Sequence, residues 1–430
     1  MKEQLENLIT ELNILQYFSR DKMVSLQESR LESLVKHHAK NTQHFGMRLA
    51  AQGLTPNSLL SLKGLKRLKP FAKKDIQQAG KSFIPKDIPK SHLPLGSSQT
   101  SGSTGEPVTV QKSNICNMFW AAHVIRDHSW WNRDYKGKMS SIRANHQKYT
   151  ENANWGGPVA FLYGSGPAQG IPVFENIDKQ DEYLREFQPN ILIVHAGVLM
   201  ALVAKWEKTG LPLTELKHIK NIGETVHPEL RERVLSLTGL KIEDNYSSSE
   251  VGAIAIECPD SGLLHVMEEN LIVEILDENG NDCEPGEIGR VVITDLFNSA
   301  APIIRYDIGD YAEVGEQCPC GRHLLTLKKV LGRERNLLKR ADGSTFWPLA
   351  AQRKVANIVE MTQWQIIQHA IDDVEYRMVT ENELTAEQET ELNSMLGESL
   401  GFPGQVRVTR FAKELPLFKG KYEESICLVK

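Results

Sequence analysis

Hydroxyl groups and glycines crowd one short stretch of this chain, Thr100-Ser101-Gly102-Ser103-Thr104-Gly105-Glu106-Pro107. Glycine lets a backbone approach a phosphate closely, and successive N–H groups with side-chain hydroxyls can surround its oxygens. It is not a Walker A loop, because no Gly-Lys-Ser/Thr closes it; at Gly80-Lys81-Ser82, Asp75 stands where that motif needs its first glycine. A flexible linker would have the same composition. A second stretch, Asp244-Asn245-Tyr246-Ser247-Ser248-Ser249-Glu250, sets an aromatic ring four residues ahead of a carboxylate. Such a ring can stack on a purine, and the carboxylate can hold Mg²⁺ beside a phosphate. In a third, Arg305-Tyr306-Asp307-Ile308-Gly309-Asp310, an acid follows a glycine turn, which suits it to gripping ribose hydroxyls. Taken singly, the second and third also read as ordinary surface turns.

Four further residues share one chemistry. Cys258 and His265 are separated by six residues, and Cys318-Pro319-Cys320-Gly321 places two thiols on a Gly/Pro turn. Cys258, His265, Cys318 and Cys320 together would make a tetrahedral Cys₃His zinc site, structural because four protein ligands leave no open position. The alternative is a set of reduced thiols. The chain's six cysteines are too scattered for a disulfide scaffold.

The elements that must position these residues follow from periodicity. Residues 1 to about 90 read as helices, with Pro85, Pro89 and Pro94 marking an extended approach to the Thr100 loop. Val108–Val110 reads as a short strand and Asn114–His128 as a helix. From 157 to 255 strands and helices alternate: strands at Val159–Tyr163, Asn190–Val194 and His218–Ile222, helices at Glu182–Phe187, Val198–Lys208 and Pro228–Leu237. That alternation implies crossover units and a parallel α/β sheet, which binds ligands at the carboxyl ends of its strands. Leu271–Leu276 and Arg290–Thr294, parted by a turn-rich stretch, imply an antiparallel sheet or small barrel. After Gly332 the texture is that of a smaller mixed unit.

With 430 residues the chain exceeds the ~250–300 that one core supports, so at least two domains are expected. The fold class is α/β: a large N-terminal domain over 1–332 with parallel α/β sheets and a small antiparallel sub-barrel, then a smaller α+β domain over 333–430. Hydrophobic content of 40%, charged content of 24% and a net charge of −5 describe an ordinary soluble composition without the basic excess of a nucleic-acid binder. The N-terminus lacks the apolar core of a secretory signal, and the longest apolar run, Ile191–Ala204, is too short to span a membrane. A cytoplasmic location is the default; a homodimer is compatible with the sequence.

The three motifs, in this order, resemble the adenylate-forming superfamily of acyl-CoA synthetases, peptide-synthetase adenylation domains and luciferases. Gly332-Arg333 with Leu337-Leu338-Lys339 and Asp342-Gly343 is similar to that family's interdomain hinge, Phe418-Lys419-Gly420-Lys421 to its catalytic-lysine motif, and Gly223-Glu224 to its adenine-lining segment. The likeness runs from about 95 to 425. Within the superfamily it is nearest to phenylacetate–CoA ligases and CapK-like proteins, through Gly262-Leu263-Leu264-His265-Val266, Glu284–Leu296 and Pro302-Ile303-Ile304-Arg305-Tyr306.

The resemblance implies that ATP and Mg²⁺ activate a small, aryl or other, carboxylic acid to acyl-AMP, which is then passed to coenzyme A; an amine, a carrier-protein thiol or a saccharide is the alternative acceptor, and a non-catalytic nucleotide-binding relative the alternative class. It implies roles as well. Ser101, Gly102, Ser103, Thr104 and Gly105 would cradle the β- and γ-phosphates. Gly223 and Glu224 would line the adenine with Asn245, Tyr246 and Ser247, Tyr246 stacking on it. Glu250 would hold Mg²⁺, Asp310 and Arg333 the ribose, and Lys421 on a mobile C-terminal domain would bridge carboxylate and α-phosphate. Some ligases of this type also carry structural zinc. The chain departs from the family at Glu106, usually Lys, and at Arg335, in the pivot place of the hinge.

Tyr163, His195 and Ser248, with Trp155, are candidates for the acyl pocket. His123, Arg126, His128, Arg143 and His146, among Trp130 and Trp131, could meet an anionic substrate, but a solvated helix face is the favoured reading. Glu268 and Glu269 read as exposed.

Overall fold

Strand and helix alternate between residues 139 and 243 of the computed structural model, which describes residues 1–99, 108–333, 336–346, 348, 354–355, 358–361, 363–402, 406–412, 415 and 425–429. The strands of that region form a six-stranded sheet in the order Thr150–Asn152, Ala168–Pro172, Met139–Arg143, Ile191–Val194, His218–Asn221, Ile242–Glu243. All pairings are parallel except the edge hairpin at Thr150–Asn152. Helices Ile177–Phe187, Ala196–Thr209 and Pro228–Thr238 cover it, and Leu184, Leu199, Leu202, Trp206, Leu230 and Val234 share one core with Ile142, Ile171, Leu192, Val194 and Ile219. Parallel pairing brings the carboxyl ends of these strands, Arg143, Pro172, Val194, Asn221 and Glu243, to one edge.

One expected strand is a helix. Gly157–Tyr163 is helical, with Pro158 in its first turn and glycines of positive φ, Gly156 at 70° and Gly164 at 65°, on either side. Val159 and Leu162 face inward while Phe161 and Tyr163 stay exposed, a three-residue spacing that a five-residue apolar run cannot distinguish from a strand. The strand lies further on, at Ala168–Pro172.

The second sheet has eight strands, in the order Asn245–Ser248, Gly252–Glu257, Leu264–Val266, Thr326–Arg333, Tyr306–Val314, Ile288–Asp295, Leu271–Leu276, with Phe71–Ala72 joining Tyr306–Val314 in parallel. All its other pairings are antiparallel. A third sheet, Val406–Phe411, Asp373–Val379, Gln363–Ala370, Ser425–Cys427, packs on helix Ala386–Leu400 with its own core of Trp364, Ile366, Tyr376, Met378, Leu392 and Leu396.

Helices Lys2–Leu15, Arg20–Asn41 and Gln43–Ala51 open the chain. The first two, with helix Asn114–Trp130, meet the antiparallel sheet at residues 267–271, where two expectations are corrected. Glu268 and Glu269 are 1% and 0% exposed. Arg126 reaches Glu269 at 2.7 Å and the Leu12 carbonyl at 2.7 Å, while Arg20 pairs with Glu268. His123, Arg126 and His128 are buried, not a solvated face. His123 bonds Asn270 at 2.8 Å, and His128 stands 3.2 Å from Arg133, which pairs with Asp127 and Glu243. Covered on several sides, the helix turns its polar residues into anchors; removing one partner of such a buried pair costs about 3–5 kcal/mol.

Candidate active site

Tyr246 lies on strand Asn245–Ser248 with its ring buried, and its Oη donates to Asp310 Oδ2 at 2.7 Å. Asp310 stands opposite Arg333 in antiparallel register, and Arg333 Nε lies 3.5 Å from Asp310 Oδ1. Gly309, at φ 79°, supplies the left-handed residue before Asp310. On the same strand Tyr306 Oη donates to Glu250 Oε1 at 3.2 Å. Burial first, and the adjoining carboxylates next, push both phenols above their usual range, so each stays protonated and able to donate. Two phenol–carboxylate pairs and a guanidinium thus form one polar cluster at the end of the sheet.

The hairpin of Gly96–Gln99 with Thr109–Lys112 abuts this cluster, since Ser98 Oγ donates to the Ser249 carbonyl. Its last described pair is Gln99 with Thr109. Ser101, Gly102, Ser103, Thr104, Gly105 and Glu106 lie outside the described residues, as do Arg335 and Phe418–Lys421.

Gly223 and Glu224 follow the carboxyl end of strand His218–Asn221. Glu224 Oε2 accepts the Gly197 N–H at 2.9 Å, in the first turn of helix Ala196–Thr209, and its Oε1 lies 3.9 Å from His195 Nδ1. A Cβ on Gly223, at φ 68°, would stand 3.6 Å from the His195 ring. Asn221 Nδ2 donates to the Glu224 carbonyl at 2.6 Å and to Asp244 Oδ1 at 2.9 Å, and Asp244 Oδ1 also accepts the Asn245 N–H at 2.9 Å. Asn221 and Asp244 therefore tie the two sheets together. Burial raises the Asp244 carboxyl despite Arg231 beside it. Ser247 is exposed; Ser248 Oγ accepts the Val251 N–H at 3.3 Å.

His195, Gly223, Glu224, Asn245, Tyr246, Ser247, Ser248, Glu250, Asp310 and Arg333 are thus linked by chain neighbours and side-chain contacts. Tyr163 stands apart: it ends a helix, is 44% exposed and stacks on Tyr135 at 5.4 Å. Trp155 packs against His128, 5.4 Å between rings. Sequence reasoning passed over Tyr306 and Asn221. Neither was legible locally: between Tyr306 and Asp310 the strand carries a register shift and the left-handed Gly309, so no two-residue period links them.

The cysteine–histidine set converges. Ligand atoms of Cys258, His265, Cys318 and Cys320 all lie within 4.8 Å of one another. Cys258 and Cys318 sulfurs are 3.7 Å apart, and Cys320 Sγ is 3.3 Å from His265 Nε2. Two thiolates on a tetrahedral zinc, at ~2.3 Å each, stand about 3.8 Å apart, whereas a disulfide needs ~2.05 Å. The donors fit zinc. Three adjacent strands supply them: Cys258 follows Gly252–Glu257, His265 lies in Leu264–Val266, and the Cys318–Cys320 turn precedes Thr326–Arg333.

No protein-family model matches the chain. A phenylacetate-coenzyme A ligase of Thermus thermophilus is 25% identical over 384 residues, covering 85% of this chain and 83% of the ligase. Protein CapK of Staphylococcus aureus is 23% identical over 376 residues, 84% of this chain and 79% of CapK. Among solved structures, 2-hydroxyisobutyryl-CoA ligase in the postadenylation state superposes with a TM-score of 0.75 at 16% identity, over 96% of this chain and 90% of that one.

Proposed function

We propose, from the premise that the chain is a member of the adenylate-forming superfamily with phenylacetate–CoA ligases and CapK among its relatives, that it uses ATP to activate a small carboxylic acid as acyl-AMP and transfers the acyl group to coenzyme A. One observation carries this reading: Tyr246, Glu250, Tyr306, Asp310 and Arg333, with the Ser98 hairpin base against Ser249, meet at one place although up to 235 residues separate them.

Each candidate residue then has a task. The Tyr246 ring, held by Asp310, offers a face to the adenine, with the Gly223–Glu224 segment and Asn245 at its edge and Ser247 beside it. Asp310 and Arg333 take the ribose hydroxyls. Glu250, fixed by Tyr306, is placed to hold Mg²⁺, which when bound offsets triphosphate charge. Ser101, Gly102, Ser103, Thr104 and Gly105 cradle phosphate. Lys421 approaches on a mobile unit of residues 333–430, offsets charge as the carboxylate attacks, and is withdrawn for thioester formation. His195 and Ser248 face the acyl group. Cys258, His265, Cys318 and Cys320 hold a structural zinc that cross-links three strand ends. Among the described residues no helix is long and apolar enough to cross a membrane, and we place the protein in the cytoplasm, where ATP and coenzyme A are available.

A pyrophosphate-release screen over aryl, aliphatic and amino acids, with and without coenzyme A, tests the reading. Release that depends on the thiol is expected. Release without it would move the acceptor to an amine, carrier thiol or saccharide, and silence on every acid would reduce the chain to a nucleotide-binding relative. Lys421→Ala should abolish carboxylate-dependent pyrophosphate exchange in a folded protein.

A further inference from the structure

One cation at the ligand-binding edge has no counter-charge among the described residues. Arg143 closes strand Met139–Arg143, paired with Pro172 on one side, while His195 directly follows Val194 on the strand at its other side. This is the carboxyl edge of the parallel sheet, where such sheets receive ligands. The side chain is half-buried; among the described residues its Nε has no hydrogen-bond partner, and it has no solvent access. The three fully buried arginines each carry a carboxylate: Arg126 has Glu269, Arg133 has Asp127 and Glu243, and Arg305 has Glu274. Among the described residues no acid pairs with Arg143. Burial alone lowers its guanidinium, with no carboxylate opposing that shift.

The surroundings are built rather than loose. His146 turns back on the strand: its N–H donates to the Arg143 carbonyl at 3.3 Å, and its Nε2 lies 2.8 Å from Ser141 Oγ. A Cβ on Gly170 would come within 2.9 Å of the His146 ring and 2.7 Å of Thr150 Oγ1, so only glycine lets this loop lie flat. Burial, then the charge of Arg143, lower the His146 ring, which keeps it neutral beside the guanidinium. Arg48, which also lacks a carboxylate pair, spends its guanidinium on the Ile304 and Lys69 carbonyls, whereas Arg143 has no such bonds among the described residues; a partly desolvated charge of that kind at a ligand-binding edge marks a candidate site for an anion.

We propose that Arg143 receives a second anionic group of the acid substrate, so that the preferred acid carries a distal carboxylate, or a comparable anion, besides the carboxylate that is activated. This rests on the adenylating reading. Arg143 sits one strand from His195, which Gly223 and Glu224 adjoin, so an acid entering between nucleotide and sheet edge would point its far end at the guanidinium. The planar fork of arginine suits a bidentate carboxylate.

Matched pairs decide it: benzoate against terephthalate, butyrate against succinate, followed as kcat/KM for pyrophosphate release. The wild type should favour the dianionic member. Arg143→Ala should lower that dianion-to-monoanion ratio by about 100-fold, the scale of removing one partner from a desolvated charge pair, and Arg143→Lys should restore part of it. A second readout needs no turnover: terephthalate or succinate should raise the Tm of the wild type and not of folded Arg143→Ala, or of Arg143→Gln should the alanine variant fold poorly. Preference for the monoanion, or a ratio unmoved by the substitution, overturns the proposal. So does a variant that raises only KM for coenzyme A, which would give the anion to that cofactor's phosphates. Silence of the wild type on every acid would instead sink the adenylating reading, and the thermal shift would still decide whether Arg143 binds a carboxylate.

Discussion

Asp310 does two jobs with one carboxylate, accepting from Tyr246 Oη at 2.7 Å and facing Arg333 at 3.5 Å. Its substitution should therefore hurt binding more than folding. Asp310→Asn keeps the shape but removes the charge that Arg333 faces, and the amide can no longer accept on both oxygens. A loss of ATP affinity of at least about 10-fold, near 1.4 kcal/mol, is expected by calorimetric titration, with helix content unchanged. Tyr246→Phe, which keeps the ring and deletes the hydroxyl, should cost about 1 kcal/mol of stability and less affinity than Asp310→Asn. Equal affinities for all three proteins would take the ribose role from Asp310. The residue scale also shows what local sequence hides. Tyr306 and Asp310 belong to one quoted motif, yet the partner of Tyr306 is Glu250, 56 residues away, and only sheet pairing brings the two together.

At the scale of elements, the antiparallel sheet ends in a cluster that its own hydrogen bonds do not explain. Cys258 directly follows the strand that neighbours His265's, with Ile256 opposite His265, and His265 faces Thr326 of the next strand. A bound zinc would join the end of strand Gly252–Glu257, strand Leu264–Val266 and the Cys318–Cys320 turn that leads into Thr326–Arg333. Purified protein never exposed to chelator should carry about one zinc per chain. Stripping it, or replacing Cys320 by Ser, should lower Tm by at least about 5 °C, because metal affinity for the folded state is folding free energy. Protein without zinc would end that assignment. The spacing of the four residues made the cluster legible from sequence. By contrast, Gly157–Tyr163 went unrecognised as a helix, because a five-residue apolar run lacks the length to display its period.

Across the whole molecule, buried histidines set the response to acid. His38 and His128 are lowered to about 3, His123 and His227 to about 4, each by burial first. Their folded pKa values lie below the unfolded ~6.5, so the stability they contribute is full above that value and is lost as pH falls toward 4. Buried carboxyls oppose them: burial raises Asp295 to about 6 and Glu257 to about 7, and raises Asp244, Glu268 and Glu274 as well, so their contribution falls as pH rises. Near pH 5.5, setting His38, His123, His128 and His227 against Asp295 and Glu257 gives a net uptake of about two protons on unfolding, worth up to about 2.7 kcal/mol per pH unit, which the raised carboxyls of Asp244, Glu268 and Glu274 reduce. Urea titrations at pH 7, 6 and 5 should show the midpoint falling with pH; a midpoint that rises toward pH 5 would contradict this balance.

By itself the sequence determined the chemical inventory, the α/β class and most element positions, because residue type and hydrophobic period are local properties. It also carried the family likeness, which lies in short ordered motifs. Tertiary structure alone decided which charges meet. Arg126, Glu268 and Glu269 looked like solvated surface because each is hydrophilic on its own, and burial becomes affordable only when a partner arrives from a distant strand or helix, Glu269 for Arg126 and Arg20 for Glu268. The same register left Arg143 at the sheet edge without such a partner among the described residues. Pairing of this kind depends on strand order and helix packing across hundreds of residues, which no local period encodes.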